Sequence, residues 1–247
     1  MDREKALAPN LPDAELVEVG GYTVFLMTPA APRSGDRPWV WYAPTILPHL
    51  PDEHMGWLFE RFLAEGLAVA GVDVGESYGS PAGTAGYHKA YAWLTGERGL
   101  SKKAALLPRS RGGLMLYNWA ARHPEAVTCI AGIYPVCDLS SYPRLEKASP
   151  AYGMTVDELR RELHKYNPVE LLEPLASARV PLWHIHGDQD ELVPLEPNSL
   201  ELIARYRNLG GPGELVVAEG QGHNLWDGFF KSEDLVAFVL QHVDGQA

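Results

Sequence analysis

The stretch KAALLPRSRGGLMLYNWAARHP, residues 103–124, decides how this chain folds. Its opening, KAALLPR, is a short apolar run of the kind that forms a strand buried on both faces. From Gly112 to His123 the residues are apolar nearly all round and the run stops before Pro124, which reads as a buried helix. Ser110 and Arg111 stand at the junction. A sharp turn from strand to helix lifts a serine hydroxyl clear of the sheet, the geometry a nucleophilic serine requires. Ser110 is therefore the candidate nucleophile. Pro108 occupies the place where such turns usually carry a glycine, and it has no N–H to give to a sheet.

Similar strand candidates lie on either side, at 22–28, 38–43, 67–74, 127–134, 181–187 and 214–220. Helical patterns alternate with them. Asp52 can cap a helix through Trp57, Phe59 and Phe62 that stops near Gly66; another surrounds Leu200 to Tyr206, and the last starts near Ser232. The alternation predicts an α/β fold: a doubly wound, mostly parallel sheet with helices on both faces, in a single domain over 1–247. Residues 138–180 separate two strands by more than a crossover needs. They hold a capping-box pattern, Thr155 to Glu158, leading into VDELRRELHKYN, and read as a small helical cap inserted over the sheet's carboxyl edge, where open α/β sheets bind ligands.

A second serine fits the pattern G-x-S-x-G, in Gly75-Glu76-Ser77-Tyr78-Gly79. The residues after it, YGSPAGTAG, place glycines and a proline where a helix should start, so this segment reads as a Gly-rich turn.

A serine nucleophile needs a base to take its proton and a carboxylate to orient the base. Downstream, His186-Gly187-Asp188-Gln189-Asp190-Glu191-Leu192-Val193-Pro194 follows one strand and Gly220-Gln221-Gly222-His223 follows the next. These segments resemble the H-G-x-x-D-x-x-V-P and G-x-G-H loops of the α/β-hydrolases. In size and motif placement the domain resembles the dienelactone-hydrolase and prolyl-oligopeptidase catalytic group. The likeness covers about residues 20 to 243. It implies Asp190 as the acid, His223 as the base, and His186 and Asp188 as supports of the acid's loop, in the chain order Ser, Asp, His that this fold imposes. Asp138, after the preceding strand, is a reserve acid. One oxyanion donor is expected at the Arg111 N–H, the residue after the nucleophile. The other is expected in Ala43-Pro44-Thr45-Ile46-Leu47-Pro48, with Thr45 first and Ile46 next, because Pro44 and Pro48 lack an N–H.

His184-Ile185-His186-Gly187-Asp188-Gln189-Asp190 also spells H-x-H-x-D-x-D, with His184 and His186 on one face of a strand. This partly resembles the H-x-H-x-D-H signature of metallo-β-lactamase-type hydrolases, so a metal-dependent hydrolase using His184, His186, Asp188 and Asp190 is one alternative. Gln189 sits where the second-site histidine belongs and no second cluster follows, so no metal and no cofactor is expected. The other alternative is an inactive binding protein on the same fold.

For the substrate, Arg109 and Arg111 flank the nucleophile and suit bidentate binding of carboxylates, unless Arg109 instead pairs with an acid such as Glu76. The Ser-Arg pair resembles glucuronoyl esterases. Trp226 and Tyr152 are candidate pocket aromatics beside Arg109. With no propeller or other peptide-restricting domain, the reading is a carboxylesterase acting on a small ester or lactone, an acylated or acidic sugar among them.

The whole chain sets outer bounds. Its 247 residues, 46% hydrophobic, suit one domain with a substantial core. A net charge of −11 opposes nucleic acid and anionic membranes as partners, which attract basic surfaces. Cys129 and Cys137 bracket one strand at about 26 Å of extended chain, beyond disulfide reach, so both are expected as free thiols. MDREKALAPN is polar, unlike a signal peptide, and makes the cytoplasm the default compartment. Oligomeric state is not legible.

Overall fold

A computed structural model describes residues 9–11, 13–33 and 36–244; the first eight residues of the polar amino-terminal stretch lie outside them. Every strand read from the sequence forms. They are β2 (Tyr22–Met27), β3 (Trp39–Ala43), β4 (Ala68–Asp73), β5 (Ala104–Pro108), β6 (Val127–Ile133), β7 (Leu182–Gly187) and β8 (Gly213–Ala218). One more, β1 (Glu15–Val19), is an edge strand whose charged, half-exposed residues hide it from a hydrophobicity reading. The eight-stranded sheet runs β1-β2-β4-β3-β5-β6-β7-β8. β1 and β2 are antiparallel to their neighbours and the rest are parallel.

Alternation along each strand divides the core in two. Trp39, Trp41, Ala104 and Leu106 face one layer, against α2 (Pro81–Gly96), α3 (Gly112–Ala120), α6 (Glu173–Ser177) and α7 (Glu201–Asn208). Val40, Tyr42, Ala105 and Leu107 face the other, against α1 (Gly56–Ala64), α8 (Asp227–Phe230) and α9 (Glu233–Asp244). Strands buried on both faces explain the continuous apolar runs. Both cysteines are buried free thiols. Among the described residues, no helix is long and apolar enough to cross a membrane.

One expectation needs revision. A helix does start after Ser77: Ser80 caps α2 by accepting from the Gly83 N–H, and Pro81 takes the first helical position, where its missing N–H costs nothing. The apparent breaker is the start signal. The 138–180 segment packs in two parts. Its α4 (Leu145–Tyr152) and α5 (Val156–Glu162) form a separate cluster with Tyr78, Leu114 and Val193, and the Thr155–Glu158 capping box is present. Val169, Leu172, Leu175 and Val180 instead join the main core.

The turn after β5 depends on close backbone approach. A Cβ on Gly112 would overlap the Ala43 carbonyl, and one on Gly113 the Val136 carbonyl. Backbone cannot step aside as a flexible side chain does. Gly112→Ala is therefore expected to cost about 2 kcal/mol, read as a lower urea midpoint at unchanged slope.

Candidate active site

Ser110 sits at the end of β5 with φ +50°, in the left-handed region. Its N–H donates to Ile133 O at 3.0 Å, and its carbonyl accepts from Gly113 N at 2.9 Å and Val136 N at 2.8 Å. Three backbone bonds thus fix a conformation that costs a non-glycine residue about 1–3 kcal/mol. Pro108 is accommodated for a topological reason. The β3 ladder continues through Ala43 and Pro108, and Arg109 N donates to Ala43 O. Successive amides of a strand point to opposite sides, so the donor that Pro108 lacks would face β6. There the regular pairing stops at Leu106 and Ile130 and resumes only at the Arg109–Ile133 bridge.

The three strand ends carrying Ser110, Asp190 and His223 meet at the sheet's carboxyl edge. Ser110 Oγ lies 2.9 Å from His223 Nε2, and His223 Nδ1 lies 2.7 Å from Asp190 Oδ2. Asp190 Oδ1 accepts from Val193 N at 2.8 Å and Leu192 N at 3.1 Å. Burial alone would raise the Asp190 carboxyl, but the hydrogen bonds from His186, His223 and Val193 outweigh it and hold the group well below the usual carboxylate range. Tyr134, at the end of β6, packs its ring 4.2 Å from the His223 ring and donates its hydroxyl to Asn224 O. Burial pushes the Tyr134 phenol up to about 12 against the pull of Arg109, so it stays a neutral donor. Asp138 is engaged elsewhere, accepting from Asn167 and Ser140.

Ser110 and His223 open onto a cavity of ≈ 200 Å³ lined also by Tyr42, Pro44, Leu50, Arg111, Tyr142 and Leu192. Arg109 lines it too, but its Nη1 is clamped by both Asp52 oxygens, at 2.9 and 2.8 Å, and its guanidinium lies over Phe230. Glu76 pairs with Arg111 at 2.7 Å, not with Arg109. Each arginine thus has a carboxylate of its own.

Other expected site residues fall elsewhere. Thr45 is fully buried in a parallel bridge with Asp73, outside the cavity lining. Tyr152 is buried and donates to Tyr78 O at 2.8 Å, and Trp226 is 43% exposed with its ring against Phe229. Neither lines the cavity. Ser77 is buried, and its Oγ has no hydrogen-bond partner among the described residues. Tyr42 was missed. It lines the cavity from the end of β3, and its buried hydroxyl has no hydrogen-bond partner among the described residues. A tyrosine closing a strand just before a proline loop was the only available signal.

The four H-x-H-x-D-x-D residues do not meet at one point. His184 Nε2 meets Tyr117 Oη at 2.7 Å, His186 Nε2 meets Val193 O at 2.8 Å, and Asp188 accepts from Gly220 N. Among the described residues no group of three or more His, Cys, Asp or Glu is arranged to hold a metal.

The sequence profile of the prolyl oligopeptidase family matches residues 89–246. No match is found among curated protein sequences. Among solved structures, the chain is similar to a putative dipeptidyl aminopeptidase IV from Bacteroides ovatus, with 16% identity and a TM-score of 0.72 over 92% of this chain and 35% of that one. Est1E from Butyrivibrio proteoclasticus also has 16% identity, with a TM-score of 0.69 over 94% of this chain and 99% of that one. Esterase 2 of Thermogutta terrifontis has 16% identity and a TM-score of 0.60 over 96% and 93%. The chain therefore spans little more than a third of the Bacteroides ovatus chain. At these identities the likeness is one of fold, an α/β-hydrolase sheet with the strand pattern expected from the sequence.

The depressed Asp190 carboxyl has a consequence for stability. Its contribution is present above the unfolded carboxylate range, near pH 4, and is lost as the pH falls toward its lower folded value. Asp190→Asn is expected to be less stable than wild type at pH 7, with the gap narrowing between about pH 5 and pH 2 in urea titrations.

Proposed function

The chain belongs to the prolyl oligopeptidase family, among the serine hydrolases of α/β-hydrolase fold, and from that premise we propose that it cleaves small, uncharged carboxylic esters through an acyl-enzyme on Ser110. One observation carries this reading: Ser110, His223 and Asp190 form a continuous hydrogen-bonded chain at the mouth of a small cavity.

In this mechanism His223 Nε2 takes the Ser110 proton as Oγ attacks the ester carbonyl, and Asp190 stabilises the imidazolium that forms. The alcohol leaves with the proton that His223 returns. Water then enters, gives its proton to His223, and releases the acid and free Ser110. The developing oxyanion takes the Arg111 N–H beside the nucleophile and the Tyr42 hydroxyl, which is buried with no hydrogen-bond partner among the described residues and so suits a charge that appears only during reaction. Tyr42 thus takes the role first assigned to Thr45.

The cavity supports a small acyl group. Leu50, Pro44 and Leu192 give it apolar walls, and Tyr142 is the contribution of the segment between β6 and β7. An anionic substrate would have to compete with Asp52 for Arg109 and with Glu76 for Arg111, so a neutral ester or acylated sugar is favoured over an acidic one. The family also contains peptidases, and hydrolysis of a peptide bond by the same three residues is the second reading.

p-Nitrophenyl acetate and alanine p-nitroanilide separate the readings when wild type is run beside Ser110→Ala and Ser77→Ala. Ester turnover is expected in wild type and Ser77→Ala, with a loss of about a thousand-fold or more in Ser110→Ala. Preference for the anilide would favour the peptidase. Full activity in Ser110→Ala would remove Ser110 as the nucleophile, and a wild type that neither turns over nor reacts with a fluorophosphonate would favour an inactive binding protein.

A further inference from the structure

Behind Asp190 lies a row of buried polar groups that the reaction itself does not use. Tyr117 from α3, His184 and His186 from β7, and Ser199 from the turn before α7 are all at most 1% exposed. They are joined end to end. Tyr117 Oη is 2.7 Å from His184 Nε2, and His184 Nδ1 is 3.0 Å from Ser199 Oγ. Ser199 Oγ is 2.8 Å from His186 Nδ1. His186 Nε2 is 2.8 Å from Val193 O and 3.4 Å from Asp190 Oδ2, the oxygen that His223 also holds.

Donor and acceptor chemistry allows one assignment of protons along this row when both rings are neutral. A carbonyl can only accept, so His186 Nε2 carries hydrogen. The bare Nδ1 of His186 then accepts from the Ser199 hydroxyl. Ser199 Oγ in turn accepts from His184 Nδ1–H, which leaves His184 Nε2 to accept from Tyr117. Burial, with the neighbouring His186, pushes His184 down to about 3 and so keeps that ring neutral. A single carbonyl thus orients four hydrogens in one direction.

We propose that this relay is a positioning device: Tyr117, His184 and Ser199 lock His186 into its Nε2–H form, which holds a permanent donor against Asp190 Oδ2 and the Asp190–Val193 turn. Asp190 Oδ2 then has two imidazoles beside it, His223 Nδ1 at 2.7 Å and His186 Nε2 at 3.4 Å, while Oδ1 takes two backbone amides, so the carboxylate is held against rotation as His223 cycles. The proposal rests on Asp190 being the acid partner of His223. Loss of the His186 donor would concentrate the Asp190 charge on His223 and hold the His223 proton more firmly. The other groups facing His223 are Ser110, the neutral Tyr134 phenol, and Arg109 and Arg111 across the cavity, each arginine already paired. None is altered by a change at His186.

The test is the rate of fluorophosphonate labelling against pH, which needs no known substrate, together with long-range 1H–15N spectra of the histidines. Wild type is expected to show His186 as the Nε2–H form and His184 as the Nδ1–H form. His186→Leu is expected to label about ten-fold more slowly, with its acid limb moved up by about half a pH unit. His186→Gln, which keeps a donor near the same place, is expected to recover most of the rate and the wild-type profile. If His186→Leu does not fold, Ser199→Ala decides: His186 is expected to lose its single tautomer there, and an unchanged spectrum would overturn the relay. The opposite tautomers in wild type, or a wild-type profile in His186→Leu, would also overturn it. Ser110→Ala separates the two layers. If that variant still labels, the triad reading fails and the relay's role falls with it. If it is silent while His186→Leu behaves as wild type, the triad reading stands and only the relay is lost.

Discussion

The site depends on one close contact, the backbone of α3 pressed against the ends of β3 and β6. Gly112 meets the Ala43 carbonyl and Gly113 the Val136 carbonyl, with no room for a side chain on either. That approach leaves Ser110 in a left-handed conformation, tied to β6 through its N–H and to Val136 through its carbonyl. A hydroxyl held this way projects from the sheet edge toward His223 and away from the core. It also places Arg111, the residue after the nucleophile, at the wall of the cavity. The strain is local, while the packing that offsets it comes from a helix whose nine residues are all buried.

Much of this was legible because both faces of the central strands are buried. Continuous apolar runs such as AALLP and VTCIAGI announce parallel strands whatever their neighbours. Ser110 followed from where one of those runs ends, and Asp190 and His223 from the resemblance of the loops after two others to those of the α/β-hydrolases. Local pattern misled where one residue has two meanings. Pro81 looked like a breaker and is a helix start; Glu15 and Glu18 lie on an edge strand that no apolar run announces. Side-chain partners between separate strand ends were not legible at all. Asp52 was read as a helix cap, and it does accept from His54 N, but its stronger engagement is with Arg109, 57 positions away. Tyr152 and Trp226 suited a pocket by type, yet a pocket is set by which rings reach the sheet edge, and Tyr142 and Tyr42 do.

The electrostatics share one logic. Ionised groups near the cavity are paired at close range: Arg109 with Asp52, Arg111 with Glu76, and Asp190 within its cage of donors. In a partly buried site a charge without a partner would be expensive, and here each one already has its partner before any substrate arrives. The Tyr42 hydroxyl, a neutral donor, has no hydrogen-bond partner among the described residues, and the Arg111 amide lies beside the nucleophile. Such a surface meets a neutral carbonyl without displacing an ion pair, and offers hydrogen bonds once charge develops on its oxygen.

The triad draws on three strand ends that are far apart in sequence, with Ser110 and His223 separated by 113 positions and His223 and Asp190 by 33. Those ends come together only when β5, β6, β7 and β8 lie side by side in register. Contacts of such long range form late, because the chain entropy of closing each loop is lost before the contact repays it. A nascent or half-folded chain therefore holds the serine, the histidine and the aspartate without their mutual geometry. The reactive arrangement is a property of the finished sheet, and the unfinished protein is chemically silent toward its neighbours.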